Sequence, residues 1–261
     1  MGNRMVSWFS CGAASAVATR IALDAWTGPP EDFVIGYCEI KEEHPDNMRF
    51  LRECEDWFNH PVTIMGNDKY NRSIYEVFLK TRFLTGPKGA ACTRLLKKDV
   101  REAFQEPGDR QVFGYTFEEQ SRLEKFIDSN PDVDVIAPLI TNKVSKQDCL
   151  ALIARAGIEL PVMYKMGYKN NNCVGCVKGQ AGYWNKIRVD FPDAFESMSV
   201  MEDYLGRTVC KREWTENGER MRERIPLTEL PTDLGRYSAE ADIECGIVCE
   251  YVDSEFMEHE S

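Results

Sequence analysis

Arg4-Met5-Val6-Ser7-Trp8-Phe9-Ser10 runs directly into Cys11-Gly12-Ala13-Ala14, then into Ser15 and an Ala-rich stretch that reaches Trp26. Residues 4–10 read as a strand and residues 15–26 as a helix. Between them, small side chains let the backbone approach an anion, and unpaired N–H groups at the helix N-terminus point at it. The hydroxyls of Ser10 and Ser15 add hydrogen-bonding capacity. Small residues at this place also serve close helix–sheet packing, so the turn alone does not decide between a binding site and a packing device.

Outward from this turn the chain alternates. Residues 33–40 read as a second strand, 45–58 as an amphipathic helix, 61–65 as a third strand and 73–83 as a helix. Residues 86–91 form a loop by composition and 92–104 a further helix. A strand at 110–115, a helix at 117–127, a strand at 133–139 and a helix at 146–156 follow. Strands alternating with helices at this spacing predict βαβ units, hence an α/β fold with a mostly parallel twisted sheet covered by helices on both faces. Ligands in such sheets sit beyond the carboxyl ends of the strands, which singles out residues 10–15, 39–44 and 115–122. Residues 161–182 are rich in Gly, Asn, Lys and Cys and read as a loop. Residues 191–205 read as a helix, and the charged remainder is punctuated by Pro226, Pro231 and Gly235. The expected organisation is a nucleotide-binding α/β domain over 1–165 and a small cysteine-containing module over 166–261.

The net charge is −11 and the sequence pI about 4.9. Binding along a phosphate backbone needs clustered Lys and Arg, so this balance argues against a protein that coats nucleic acid but leaves room for a local basic pocket. Much of the excess acid lies in 240–260, expected to be a solvated end. Continuous apolar runs stay far below the roughly 18–20 residues of a membrane span, and the start lacks the pattern of a signal peptide. The expectation is a cytoplasmic protein without a membrane partner. Ten cysteines in such a chain do not read as a disulfide framework. Cys38, Cys54 and Cys149 fall within predicted elements and read as small core residues.

Ser10-Cys11-Gly12-Ala13-Ala14-Ser15 resembles the PP-loop, usually Ser-Gly-Gly-x-Asp-Ser, of the adenine nucleotide α-hydrolase-like superfamily. Cys11 stands at the first Gly and Ala14 at the Asp, and phosphoadenosine phosphosulfate (PAPS) reductases often lack that Asp. Residues 114–122 (GYTFEEQSR) resemble the Gly-x-Arg-x-x-Glu-x-x-Arg segment of those reductases, with Thr116 at the first Arg. Pro138-Leu139, Lys146, Asp148, Pro161 and residues 164–168 (YKMGY), then Cys173-Val174-Gly175-Cys176, follow in the family's order. The resemblance implies a PP-loop, Rossmann-like fold. It implies an adenine nucleotide bound by Ser10, Gly12, Ala13, Ser15, Lys97, Glu119 and Arg122. Arg94, Lys98, Lys178, Lys186 and Arg188 are further basic residues near the motifs. His44 lies at the ligand edge but reads as an ordinary loop residue, and 182–184 (GYW) read as packing for the cysteine loop.

In the iron–sulfur branch of that family a 4Fe-4S cluster is held by a C-x2-C knuckle and an adjacent Cys-Cys pair. The matching residues are Cys173, Cys176 and Cys92, with Thr93 in place of the second Cys. The fourth ligand is then Cys249, Cys245, Cys210 or a group from outside the chain. A zinc site of Cys173, Cys176, Cys245 and Cys249 is the alternative. Glu244-Cys245-Gly246-Ile247 resembles the segment carrying the reductase nucleophile, with Val248 in place of the family His. Cys245 is therefore the candidate catalytic thiol, and Cys245 and Cys249 as metal ligands or as a redox pair stay open beside it. These resemblances imply a sulfonucleotide (PAPS or adenosine phosphosulfate) reductase-like oxidoreductase served by a thioredoxin-like reductant. Two alternatives stand beside it: an ATP-dependent sulfur transferase acting on tRNA or DNA, and a nucleotide-binding partner protein without catalysis.

Overall fold

A computed structural model describes residues 4–86 and 89–243. The first strands are β1 (Met5–Trp8), β2 (Phe33–Cys38) and β3 (Val62–Met65), separated by α1 (Ala13–Asp24) and α2 (Asn47–Phe58). After α3 (Ile74–Thr81), a two-residue ladder of β4 (Thr85–Gly86) and β5 (Gly89–Ala90) stands where a plain loop was expected. One helical run follows: α4 (Ala91–Thr93), a π-helical stretch at Arg94–Lys98, and α5 (Asp99–Phe104). Then come β6 (Arg110–Val112), α6 (Gln120–Ser129), β7 (Asp134–Ile136), α7 (Pro138–Thr141), α8 (Lys146–Arg155) and α9 (Val162–Lys165). The chain continues through α10 (Ala181–Asp190), α11 (Pro192–Leu205) and a hairpin of β8 (Cys210–Glu216) and β9 (Glu219–Ile225).

Five strands form one parallel sheet in the order β3-β2-β1-β6-β7, an α/β architecture of Rossmann-like type. Strand periodicity sorts the side chains between two cores. Met5, Phe33, Ile35, Tyr37 and Val112 join α1, α2 and α8, whereas Val6, Trp8, Cys38 and Phe113 join Phe126 of α6 with Val100 and Phe104 of α5. With both faces covered, β1 is buried at every position, as parallel strands are. The one polar residue of β1, Ser7, meets Thr19 of α1 at 2.8 Å, so its hydroxyl is not orphaned. Strand order reverses between β1 and β6, and in open α/β sheets the crevice at that reversal is where ligands sit.

Several expected boundaries shift. Residues 161–182 are not loop throughout, since Val162–Lys165 is helical and α10 begins at Ala181. The charged remainder holds a hairpin that hydrophobic alternation did not reveal, because cross-strand charges rather than a core hold it together. Arg212 pairs with Glu223 at 2.8 Å in direct register, and Trp214 faces Met221. Asn217 and Gly218, both at positive φ, make its turn. The expected solvated acidic end is docked at its beginning: the Glu240 carboxylate accepts the N–H groups of Gly182 (2.6 Å) and Tyr183 (3.1 Å), capping α10. Cys38, Cys54 and Cys149 are core residues as expected. Among the described residues no helix is long and apolar enough to cross a membrane.

Candidate nucleotide site

At the reversal lies a cavity of about 440 Å³. Ser10, Gly12, Ala13, Ser15, Lys97, Glu119 and Arg122, the seven residues expected to bind nucleotide, all line it. The turn between β1 and α1 supplies one wall. Cys11 takes a left-handed conformation (φ 54°), a strained choice for a residue with a Cβ, and its side chain is buried against α2, 3.7 Å from the Asn47 carbonyl. Ser15 Oγ donates to the Gly12 carbonyl and accepts from the Ser10 N–H, both at 3.0 Å, while Ser10 Oγ lies 3.0 Å from it. These bonds staple the turn into a cradle. Gly12 caps α1, and the first intrahelical bond runs from the Ala16 N–H to the Gly12 carbonyl. The N–H groups of residues 13–15 thus precede the helical ladder. That of Ala13 donates to the Tyr164 hydroxyl at 3.4 Å.

Gly114, after β6, supplies the facing wall. A Cβ there would lie 2.7 Å from Ser15 Cα and 2.8 Å from Ser15 N, so only glycine lets this backbone meet the first turn of α1. Thr116 and Glu119 form a capping box that starts the following helical turn, and Glu119 also pairs with Arg122. Arg122 lies over the Tyr115 ring with its guanidinium carbon 5.6 Å from the centroid.

Behind the turn runs a buried polar network that the sequence did not reveal. Glu43 accepts from the Tyr37 hydroxyl (2.7 Å) and the Asn47 amide (2.9 Å), and Lys97 Nζ lies 3.4 Å from its other oxygen. The side chains of Lys97 and Glu43 are 6% and 3% exposed, too little for water to screen them. Burial pushes the Glu43 carboxyl above its usual range, against the opposing pull of Lys97. Asn171 continues the network, donating to the Cys11 carbonyl and to Asn47 Oδ1, both at 2.7 Å. The left-handed turn is therefore tied to α2, to the π-helical stretch and to the loop before α10. A π-bulge shifts register by one residue, a feature common at functional sites, and this one carries Lys97.

At the mouth, Lys146 of α8 donates to Asp242 (2.6 Å) and Asn170 (2.8 Å), while the amides of Asn170 and Asn172 donate to the Ile243 carbonyl. Asp242 and Ile243 both line the cavity, so the C-terminal segment reaches its rim. Of the other basic residues, Lys186 is held by Asp190 and lies over Tyr168, and Arg188 donates to the carbonyls of Leu227 and Leu230. Arg94 pairs with Asp99 and Lys98 with Glu102. None of these four, nor Lys178, lines the cavity, whereas Lys146 does. His44 turns its Nδ1 to the Asp46 N–H and packs edge-on to Phe191, outside the cavity.

Cys92, Cys173 and Cys176 are buried in one hydrophobic cluster with Cys210. The Tyr183 hydroxyl accepts the N–H groups of Gly175 (3.1 Å) and Cys176 (2.9 Å), so residues 182–184 pack the knuckle as expected. Among the described residues no three His, Cys, Asp or Glu side chains gather as a metal would require. Of the ligands expected for a cluster or a zinc site, Cys92, Cys173, Cys176 and Cys210 are the described ones. Cys245 and Cys249 lie outside the described residues. Burial raises the Cys11 and Cys54 thiols and pushes Cys38, Cys149 and Cys210 up to about 12, which leaves these five poor nucleophiles at neutral pH.

No protein-family model, curated protein or solved structure matches this chain.

Proposed function

We propose that the cavity binds an adenine nucleotide and that the protein is a sulfonucleotide reductase-like enzyme. The observation carrying this reading is that one cavity at the sheet reversal is lined by the cradle of residues 10–15 together with Lys97, Arg122 and Lys146. A helix N-terminus and flanking cations suit a phosphate or sulfate, and the aromatic side chains of Trp8, Phe113 and Tyr115 offer apolar wall for a base.

The chemistry then needs a thiolate, and the five thiols raised by burial do not supply it. The resemblance of residues 244–247 to the reductase segment assigns that thiolate to Cys245, which lies outside the described residues. In the proposed reaction the Cys245 thiolate attacks the sulfur of the phosphosulfate. The sulfur–oxygen bond to the nucleotide breaks, and the nucleotide leaves with that oxygen and its electron pair. A thioredoxin-like dithiol then attacks the cysteine sulfur, sulfite departs, and the dithiol's second thiol closes its disulfide and frees Cys245. The dithiol is oxidised and the sulfate sulfur reduced.

The expected result is sulfite release from a phosphosulfate nucleotide that requires a dithiol reductant and disappears in Cys245→Ser while nucleotide affinity is kept. Pyrophosphate or AMP formed from ATP only with a nucleic-acid acceptor would favour sulfur transfer instead. Binding without turnover in either assay would leave a nucleotide-binding partner protein.

A further inference from the structure

We propose that Arg101, which does not touch the cavity, makes its deep end selective for a ligand's multiply charged terminus by acting through the wall. This inference rests on the nucleotide reading of the site and adds which end of the ligand goes where. Arg101 lies on α5, four residues after Lys97 in the same helical run, and its side chain is 1% exposed. Its Nε and Nη1 have no hydrogen-bond partner. Nη2 makes one long contact, 3.5 Å to Glu102, a carboxylate that Lys98 also shares. The guanidinium carbon sits 5.4 Å from the Phe126 centroid and 6.0 Å from that of Phe113. Phe113 lines the cavity, so Arg101 stands one side-chain layer behind its wall.

An arginine stays protonated even here, and leaving its donors unmet costs stability that two ring faces only partly offset. The charge balance says where that cost returns a benefit. Around the cavity, carboxylates gather at the rim: Glu118 is exposed, Glu119 pairs with Arg122, and Asp242, 46% exposed, pairs with Lys146. Behind the deep end, Lys97 faces the buried carboxylate of Glu43, while Arg101 and Lys98 share the single carboxylate of Glu102, three cations against two carboxylates. Burial sorts the charges into a neutralised mouth and a deep end with excess positive charge. A field from a fixed, poorly screened cation weakens only as the inverse of distance, so it acts on a ligand anion without contact. The phosphate or phosphosulfate terminus therefore points to the Lys97 end, and the less charged part of the ligand lies toward the mouth.

The test is titration calorimetry of the full chain and of Arg101→Met and Arg101→Lys, with ATP, ADP, adenosine and inorganic pyrophosphate as probes. Arg101→Met is expected to lose about tenfold in affinity for ATP, less for ADP, and nothing for adenosine, the size of one unit charge acting across a protein layer. Arg101→Lys is expected to stay close to the parent, and it carries the test if Arg101→Met fails to fold. Equal losses for adenosine and ATP, or equal losses in the Lys and Met variants, would overturn the proposal by assigning Arg101 to packing. If the parent binds no adenine nucleotide but binds pyrophosphate more weakly after Arg101→Met, the field stands and the nucleotide reading falls. If neither probe binds, both fall.

Discussion

Lys97→Met should lose stability at pH 8 far more than at pH 5, because it strands the Glu43 carboxylate in the protein interior. Removing one partner of a buried pair costs about 3–5 kcal/mol, most of it from the charge left behind. Tyr37 and Asn47 still hydrogen-bond Glu43, which sets the loss toward the lower end. The sign of the pH dependence follows from the raised Glu43 carboxyl. Between the unfolded value of about 4.5 and the higher folded one, the native state holds a proton that the unfolded chain has released. Stability is then fully present below pH 4.5 and declines as pH rises through the folded value. Without Lys97 the folded value moves higher still, so the window widens toward neutrality and the variant recovers in acid. Urea unfolding of parent and variant at pH 5 and pH 8 checks this. A loss equal at both pH values would mean that packing, not charge, is what Lys97 contributes.

Gly114→Ala should cripple the site while sparing most of the fold. The new Cβ would meet Ser15 Cα at 2.7 Å, Ser15 N at 2.8 Å and Ala14 C at 3.0 Å. All three are backbone atoms of the first turn of α1, so no rotamer change relieves the clash. Overpacking of this kind costs about 1–3 kcal/mol. The functional loss is larger, because the displaced turn carries the N–H groups that would hold the anion. Losing one such hydrogen bond to a charged group costs about 1.5–3 kcal/mol, or roughly 10–100-fold in affinity. Calorimetric titration with ADP, together with a urea melt, separates the two effects. Unchanged affinity would place the ligand away from the 10–15 turn.

The sheet was legible because its strands are buried on both faces and its helices carry amphipathic stripes, so βαβ alternation survives as a pattern of apolar residues. The cradle was legible from small residues and two serines set between a strand and a helix. The network behind it was not. Glu43 and Asn47 are neighbours in sequence, but Lys97 and Asn171 lie 54 and 124 residues from their partners Glu43 and Asn47, and only tertiary packing joins the four to the Cys11 carbonyl. Arg101 was equally hidden, since an arginine in a charged helix reads as a solvated residue until its neighbours are known to be Phe113 and Phe126. Lys186 and Arg188 erred the other way: near the motifs in sequence, they are spent on Asp190 and on the carbonyls before Pro231. The hairpin at 210–225 had one local signal, Asn217-Gly218, but its strands lack the apolar alternation that would have framed it.

The most direct test of the central claim is titration calorimetry of the intact protein with a phosphosulfate adenine nucleotide, ADP and adenosine. Saturable binding of one nucleotide per chain is expected, at least about tenfold tighter for the charged ligands than for adenosine, because a buried cation and helix N–H groups hold the terminus. Absence of heat from every adenine ligand up to millimolar concentration would contradict it, and so would binding that ignores the charge on the terminus.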